Sequence, residues 1–166
     1  NVVGTHTLLE CCRKYDKIIR FVHVSTDEVY GESMLDMEEN KKTEHSILCP
    51  TNPYAASKAA AESIVQSYIQ SFKMPIIITR GNNVYGSNQY PEKVIPKFIQ
   101  QLNRGEKITI QGDGSCVRGF LHVNDTVEAF IKILEKGKIG EIYNIGCNED
   151  MEINILNLAK KIHELI

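Results

Sequence analysis

Between Ile18 and Thr79 the chain reads as strand, helix, strand, and that order limits what the remainder can be. Ile18 to Ser25 (IIRFVHVS) is apolar and rich in β-branched residues with only brief polar breaks. This is the pattern of a strand buried on both faces, and it predicts a central parallel strand. Tyr54 to Phe72 is an alanine-rich run without a breaker, with Thr51 or Asn52 as the cap and Pro53 in the first turn. Met74-Pro75 ends this helix and Ile76 to Thr79 supplies a second buried strand. Parallel strands joined through a helix need a crossover, so the class is α/β, with helices on both faces of a sheet.

The flanking segments extend the same alternation. Apolar residues at helical spacing predict a helix over Asn1 to Tyr15, with Asn1 as a candidate cap. Glu32 to Cys49, polar and acidic and closed by Pro50 and Pro53, reads as a long surface loop, and Arg80 to Glu92 as a second polar loop. Further on, Val94 to Asn103 reads as a helix, Lys107 to Gln111 as a strand and Gly112-Asp113-Gly114 as a turn. Asn124 or Asp125 caps a helix through Leu134 that Gly137 terminates, Glu141 to Ile145 is a strand, and Ile155 opens a last amphipathic helix. The length, 166 residues, suits one hydrophobic core.

Charge and composition exclude several classes of function. A formal charge of −2 provides no field to hold a polyanion, so bulk nucleic-acid binding is not expected. No apolar run approaches the ~18 residues of a membrane span, and no basic-then-apolar leader opens the sequence. The five cysteines, odd in number and without a C-x-x-C, read as reduced thiols, and a cytoplasmic setting is expected. The five histidines are scattered with no i,i+4 pair, so no metal is implied. Tyr85, Tyr90, Phe98 and Phe120 read as core and loop packing, not as a stacking platform.

Two short patterns point to chemistry. Tyr54 and Lys58 stand four apart on the central helix, hence on one face, and an ammonium near a phenol favours the phenolate. Tyr54 is therefore a candidate general base. Ser25-Thr26-Asp27-Glu28 stands where the first buried strand runs out, and open α/β sheets bind ligands beyond the carboxyl ends of their strands.

The ordered blocks STDEVYG (Ser25 to Gly31), NPYAASK (Asn52 to Lys58) and TRGNNVYGSNQYPEKVIPKF (Thr79 to Phe98) resemble extended short-chain dehydrogenase/reductases. Within these the chain is most similar to nucleoside-diphosphate-glucose 4,6-dehydratases, and the likeness also takes in Arg118 of VRGFLHV and Tyr143-Asn144-Ile145-Gly146. The pair Asp27-Glu28 discriminates: related epimerases lack both acids, and decarboxylases and GDP-mannose dehydratases tend to keep only the glutamate.

The resemblance implies NAD as cofactor and UDP- or dTDP-glucose as substrate, taken to the 4-keto-6-deoxy sugar as in rhamnose synthesis. Tyr54 would be the base for oxidation at C4, Thr26 a hydrogen-bond donor to O4, Glu28 the base at C5 and Asp27 the acid at the departing C6 oxygen. Lys58 would bond the nicotinamide ribose and lower the Tyr54 pKa. Asn83 and Arg118 would hold the diphosphate, with Lys93 and Val94 along the nucleotide and Asn148 near it. Thymine and uracil differ by one methyl; TRGNNVYGSNQYPEK looks closest to plant-type UDP-glucose domains, whereas STDEVYG is shared with dTDP-glucose enzymes. An epimerase, a decarboxylase or a silent sugar-nucleotide-binding module are the competing readings.

A dinucleotide fold sets its pyrophosphate on G-x-G-x-x-G after the first strand, and no such run is present in these residues. By resemblance the sequence is a central fragment of a Rossmann-like doubly wound parallel sheet lacking the N-terminal half of the cofactor domain, with part of a small substrate domain. Residues 1–90 would be the later half of the NAD-binding domain with the catalytic residues. Residues 91–166 would be part of the sugar-nucleotide region, interleaved with the last Rossmann elements. Taken alone, the 166 residues are expected to bind NAD poorly and to be inactive. The family's dimer implies pairing of helices 1–15 and 54–72 with their copies.

Overall fold

A computed structural model describes residues 1–31, 42–148 and 151–166, so the first part of the expected loop Glu32 to Cys49 lies outside the described residues. The chain divides into two compact units, Asn1–Asn82 with Val127–Ile145, and Asn83–Thr126 with Gly146–Ile166. The two units are interleaved along the chain.

The first unit is built on the expected strand, helix, strand. Strands β1 (Phe21–Thr26), β2 (Ile76–Gly81) and β6 (Ile142–Ile145) form a parallel sheet in the order β1-β2-β6. Helices α1 (Val2–Tyr15) and α2 (Pro53–Phe72) cover one face, where Leu9, Val65, Tyr68 and Ile69 meet Ile76 and Ile78. Ile77, alternating to the other face, lies beside Gly137 at the end of helix α4 (Val123–Lys136). Helices on both faces make this the Rossmann-like α/β class. Each fully buried isoleucine of β2 contributes about 1.5–3 kcal/mol of transfer free energy, which makes this strand the centre of the core.

β1 was the strand expected at the centre. Among the described residues it pairs with β2 alone, and its Val24 is 51% exposed. The alternation of His23 and Ser25 with Val22 and Val24 divides β1 into a polar and an apolar face, whereas β2 is isoleucine on both.

α2 starts where Pro53 and the Asn52 side chain, accepting from the Ala55 N–H at 2.8 Å, place it, and ends at Lys73 in the left-handed region. Asn1 precedes α1 but does not cap it with its side chain; its Nδ2 donates instead to Ser57 Oγ on α2 at 2.8 Å.

In the second unit, α3 (Val94–Asn103) and α5 (Ile155–Leu165) enclose Phe98, Leu158, Ala159 and Ile162. Two short ladders accompany them: β3 (Asn83–Tyr85) parallel to β5 (Phe120–His122), and β4 (Val117–Arg118) antiparallel to β7 (Ile153–Asn154). The strand expected over Lys107 to Gln111 does not form. Its Thr109 N–H donates to the Gln101 side chain at 3.2 Å, and Ile108 and Ile110 pack against the Phe98 cluster, so the segment is held by a side chain and by apolar packing instead of a ladder. The turn at Gly112 and Gly114 does form. Gly114 has φ +76°, and a Cβ there would stand 3.2 Å from the Leu156 backbone N.

Candidate active site

The carboxyl end of β1 turns directly into a 3₁₀ helix, Asp27–Tyr30, and Thr26 is the hinge. Its hydroxyl accepts from the Glu28 N–H and donates to the Asp27 carboxylate, both at 3.3 Å, so one side chain sets the start of the turn and orients an acid. Asp27 is half-buried, and this burial pushes its carboxyl above the usual range; the Thr26 hydrogen bond opposes the shift and the Glu28 charge adds to it. Glu28 stays exposed, and its Oε2 accepts from Asn52 Nδ2 at 3.0 Å.

Tyr54 lies in the first turn of α2 and is 50% exposed. Burial of the hydroxyl, followed by the charges of Glu28 and Asp27, holds the phenol above its ordinary range. The expectation that Lys58 lowers this pKa is therefore not met. Lys58 Nζ donates to the Val24 carbonyl at 2.9 Å, and the carboxylates govern the field at Tyr54. The structure thus brings Thr26, Asp27, Glu28, Tyr54 and Lys58 together in the first unit.

An ammonium has three donors, and the carbonyl of Val24 takes one from Lys58. The remaining capacity, on the same helical face as Tyr54 one turn away, suits the vicinal hydroxyls of a ribose such as that of a nicotinamide nucleotide. Among the described residues no group of three or more His, Cys, Asp or Glu is placed to hold a metal ion, and no helix is long and apolar enough to cross a membrane.

Beneath the turn is a network that the sequence patterns did not reveal. Arg80, at the end of β2 and 4% exposed, donates Nη2 to Glu62 Oε2 at 2.7 Å, and Glu62 on α2 is 1% exposed. Arg80 Nη1 donates to the Tyr30 hydroxyl at 2.7 Å, and that hydroxyl donates to Asn144 Oδ1 at the same distance. The guanidinium also lies over the Tyr30 ring, 4.8 Å from its centroid. By sequence pattern Arg80 opens the polar loop Arg80 to Glu92. The available signal was the spacing of Tyr54, Lys58 and Glu62, which puts a carboxylate on the same helical face as the candidate base.

The remaining candidates lie in the second unit, on separate elements. Asn83 opens β3, with Nδ2 toward the Gly119 carbonyl at 3.5 Å. Lys93 is the exposed residue before α3, and Val94 packs against the Phe98 cluster. Arg118 is exposed on β4 with Nη1 donating to the Val117 carbonyl, and the Asn148 carbonyl accepts from the Met151 N–H.

Residues 1–146 match the NAD dependent epimerase/dehydratase family. The chain is similar to the dTDP-D-glucose 4,6-dehydratase of Dictyostelium discoideum, 54% identical over 169 residues that cover 98% of this chain and 38% of that protein. It is 52% identical over 165 residues to a trifunctional UDP-glucose 4,6-dehydratase, 3,5-epimerase and reductase of Arabidopsis thaliana, covering 99% of this chain and 24% of that protein. Among solved structures, the dTDP-glucose 4,6-dehydratase of Bacillus anthracis in complex with NAD superposes with a TM-score of 0.91 at 43% identity, over 99% of this chain and 51% of that one. The chain spans less than half the length of these two curated relatives.

Proposed function

The chain belongs to the NAD dependent epimerase/dehydratase family, and from that premise we propose that its protein is a nucleoside-diphosphate-glucose 4,6-dehydratase acting on UDP- or dTDP-glucose. The observation that carries this reading is the Thr26-Asp27-Glu28 turn beside Tyr54, in which two adjacent carboxyl groups have different surroundings. Asp27 is half-buried with its pKa raised, and Glu28 is exposed on an amide donor. Eliminating water needs one group to give a proton and another to take one, and such a division of environments supplies the pair.

Tyr54 accepts the proton of the C4 hydroxyl while Thr26 hydrogen-bonds O4. NAD, with its ribose held by Lys58 beside Tyr54, would supply the reversible hydride chemistry that oxidation at C4 and the later reduction at C6 need. Once C4 is a ketone the C5 proton is acidic; Glu28 takes it and gives it back to C5 when the C5–C6 double bond left by elimination is reduced at C6. Asp27, which keeps its proton to higher pH than an ordinary aspartate, gives it to the C6 oxygen, which leaves as water. Lys58 holds the ribose beside Tyr54. The diphosphate roles of Asn83 and Arg118, with Lys93, Val94 and Asn148 along the nucleotide, belong to the same proposal.

The protein is further proposed to act as a cytoplasmic homodimer. Exposed Val3, Leu8 and Tyr15 on α1, and the small exposed Ala60, Ser63, Ser67 and Ser71 on α2, support a face where helices of two copies approach closely.

Rapid-mixing absorbance at the NADH band, with the full-length protein and each nucleoside-diphosphate-glucose, tests the order of steps. Tyr54→Phe should abolish both C4 oxidation and turnover. Glu28→Gln should allow oxidation and block elimination, and should also extend oxidation to lower pH, because it removes a charge that holds the Tyr54 phenol up. Asp27→Asn should slow elimination by about 10²–10⁴-fold. Normal yields of 4-keto-6-deoxy sugar from both carboxylate variants would leave an epimerase or a silent binding module in its place.

A further inference from the structure

Asn52 does two jobs that demand opposite chemistry. Its Oδ1 accepts from the Ala55 N–H at 2.8 Å and so caps α2, while its Nδ2 donates to Glu28 Oε2 at 3.0 Å. The amide can point only one way, since the reverse would set oxygen against a carboxylate and N–H against N–H. Ser, Thr and Asp also cap helices. Asp, however, is an acceptor only, and a hydroxyl on Cβ is too short to reach both partners. Of the good capping residues, asparagine alone holds a helix N–H with one end and donates to a carboxylate with the other.

Asn52 is also two residues from Tyr54, so the same side chain sets the start of the helix that carries one base and holds the carboxylate of the other. We propose that Asn52 is a positioning residue for elimination, tethering Glu28 at a constant place relative to Tyr54. The inference rests on the dehydratase reading above, in which Glu28 takes the C5 proton. Its contribution lies in geometry: an exposed Glu28 samples several rotamers, and an attack distance displaced by about 1 Å costs on the order of 10²-fold in rate.

In the full-length protein Asn52→Ser and Asn52→Asp both keep a cap and so keep α2; the C4 oxidation that depends on Tyr54 should stay near wild type in Asn52→Ser, and should need a higher pH in Asn52→Asp, which adds a carboxylate near Tyr54. Elimination should fall by about 10²-fold in kcat, with KM little changed, for Asn52→Ser. Asn52→Asp sets a second carboxylate against Glu28, and its elimination should in addition need a higher pH, moving the acidic limb of the pH–rate profile upward. A purely structural cap would leave elimination in Asn52→Ser at the wild-type rate. Wild-type elimination in both variants, or in Asn52→Ser a loss of oxidation in step with elimination, overturns the proposal.

A second measurement does not depend on turnover. The side-chain amide resonances of Asn52, recorded by 15N–1H NMR, should move between wild type and Glu28→Gln, which removes the carboxylate that accepts from Nδ2. An active enzyme whose Asn52 amide ignores Glu28 overturns the tether. A wild type that converts neither sugar nucleotide overturns the dehydratase reading and the elimination role with it, while the amide response still reports the contact.

Discussion

His23 and Asp27 lie four residues apart on the same strand-to-turn segment and pull the pH dependence of stability in opposite directions. The His23 imidazole is 8% exposed, its Nε2 has no partner among the described residues, and burial, then the nearby Lys58 charge, lower its pKa from the usual 6.5, with Glu62 opposing. The unfolded chain therefore binds more protons than the native one below 6.5, and the stability held by neutral His23 is lost as pH falls beneath that value. Asp27, with its pKa raised above 3.8, has the reverse sign: its share is present at low pH and is lost as pH rises through the raised value. The raised pKa of Asp27 thus costs stability at neutral pH. Urea midpoints of the full-length protein taken from about pH 7 to about pH 5.5 should fall, and His23→Gln should flatten that slope. Equal slopes in the two proteins would show that His23 does not titrate in this window.

At the scale of elements, the buried Glu62–Arg80 pair joins α2 to the end of β2, and through Tyr30 it joins both to the turn that bears Asp27 and Glu28. Removing one partner leaves the other charged and desolvated. Glu62→Ala should destabilise the protein by about 3–5 kcal/mol in chemical denaturation. Replacing both residues, Glu62→Leu with Arg80→Met, should recover much of that stability, because two apolar side chains carry no desolvation penalty. Activity should not return with it, since the Tyr30 hydroxyl loses its guanidinium and the turn its anchor. A Glu62→Ala cost below about 1 kcal/mol would place this pair with ordinary surface bridges.

For the whole molecule, the proposed dimer predicts sedimentation of the full-length protein as a dimer at micromolar concentration. The stripe Ala60, Ser63, Ser67 and Ser71 has no bulk to hold helices apart, so Ser67→Glu, which adds bulk and charge at that face, should shift the protein to monomers. A wild-type monomer at that concentration would remove the dimer from the proposal.

The sequence alone determined the strand-helix-strand core, α3 and α5, and the places of Thr26, Asp27, Glu28, Tyr54 and Lys58 at strand end and helix start. All of these follow from short-range patterns: a run of β-branched residues, an i,i+4 spacing, a cap before a proline. Beyond reach were β3 with β5 and β4 with β7, because a ladder of two or three residues has no periodicity to read and exists only by its partner. The same reason removed the strand expected over 107–111, which has the composition of a strand but found Gln101 instead of a neighbour. Tertiary structure also decided the electrostatics. Arg80 became a buried ion with Glu62, eighteen residues away in sequence, and burial, with the charges of Glu28 and Asp27, raised the phenol of Tyr54 where the helix spacing points to Lys58 lowering it. The direction of a pKa depends on distance and burial, and both are set by which chain segments meet, not by how far apart they stand along the chain.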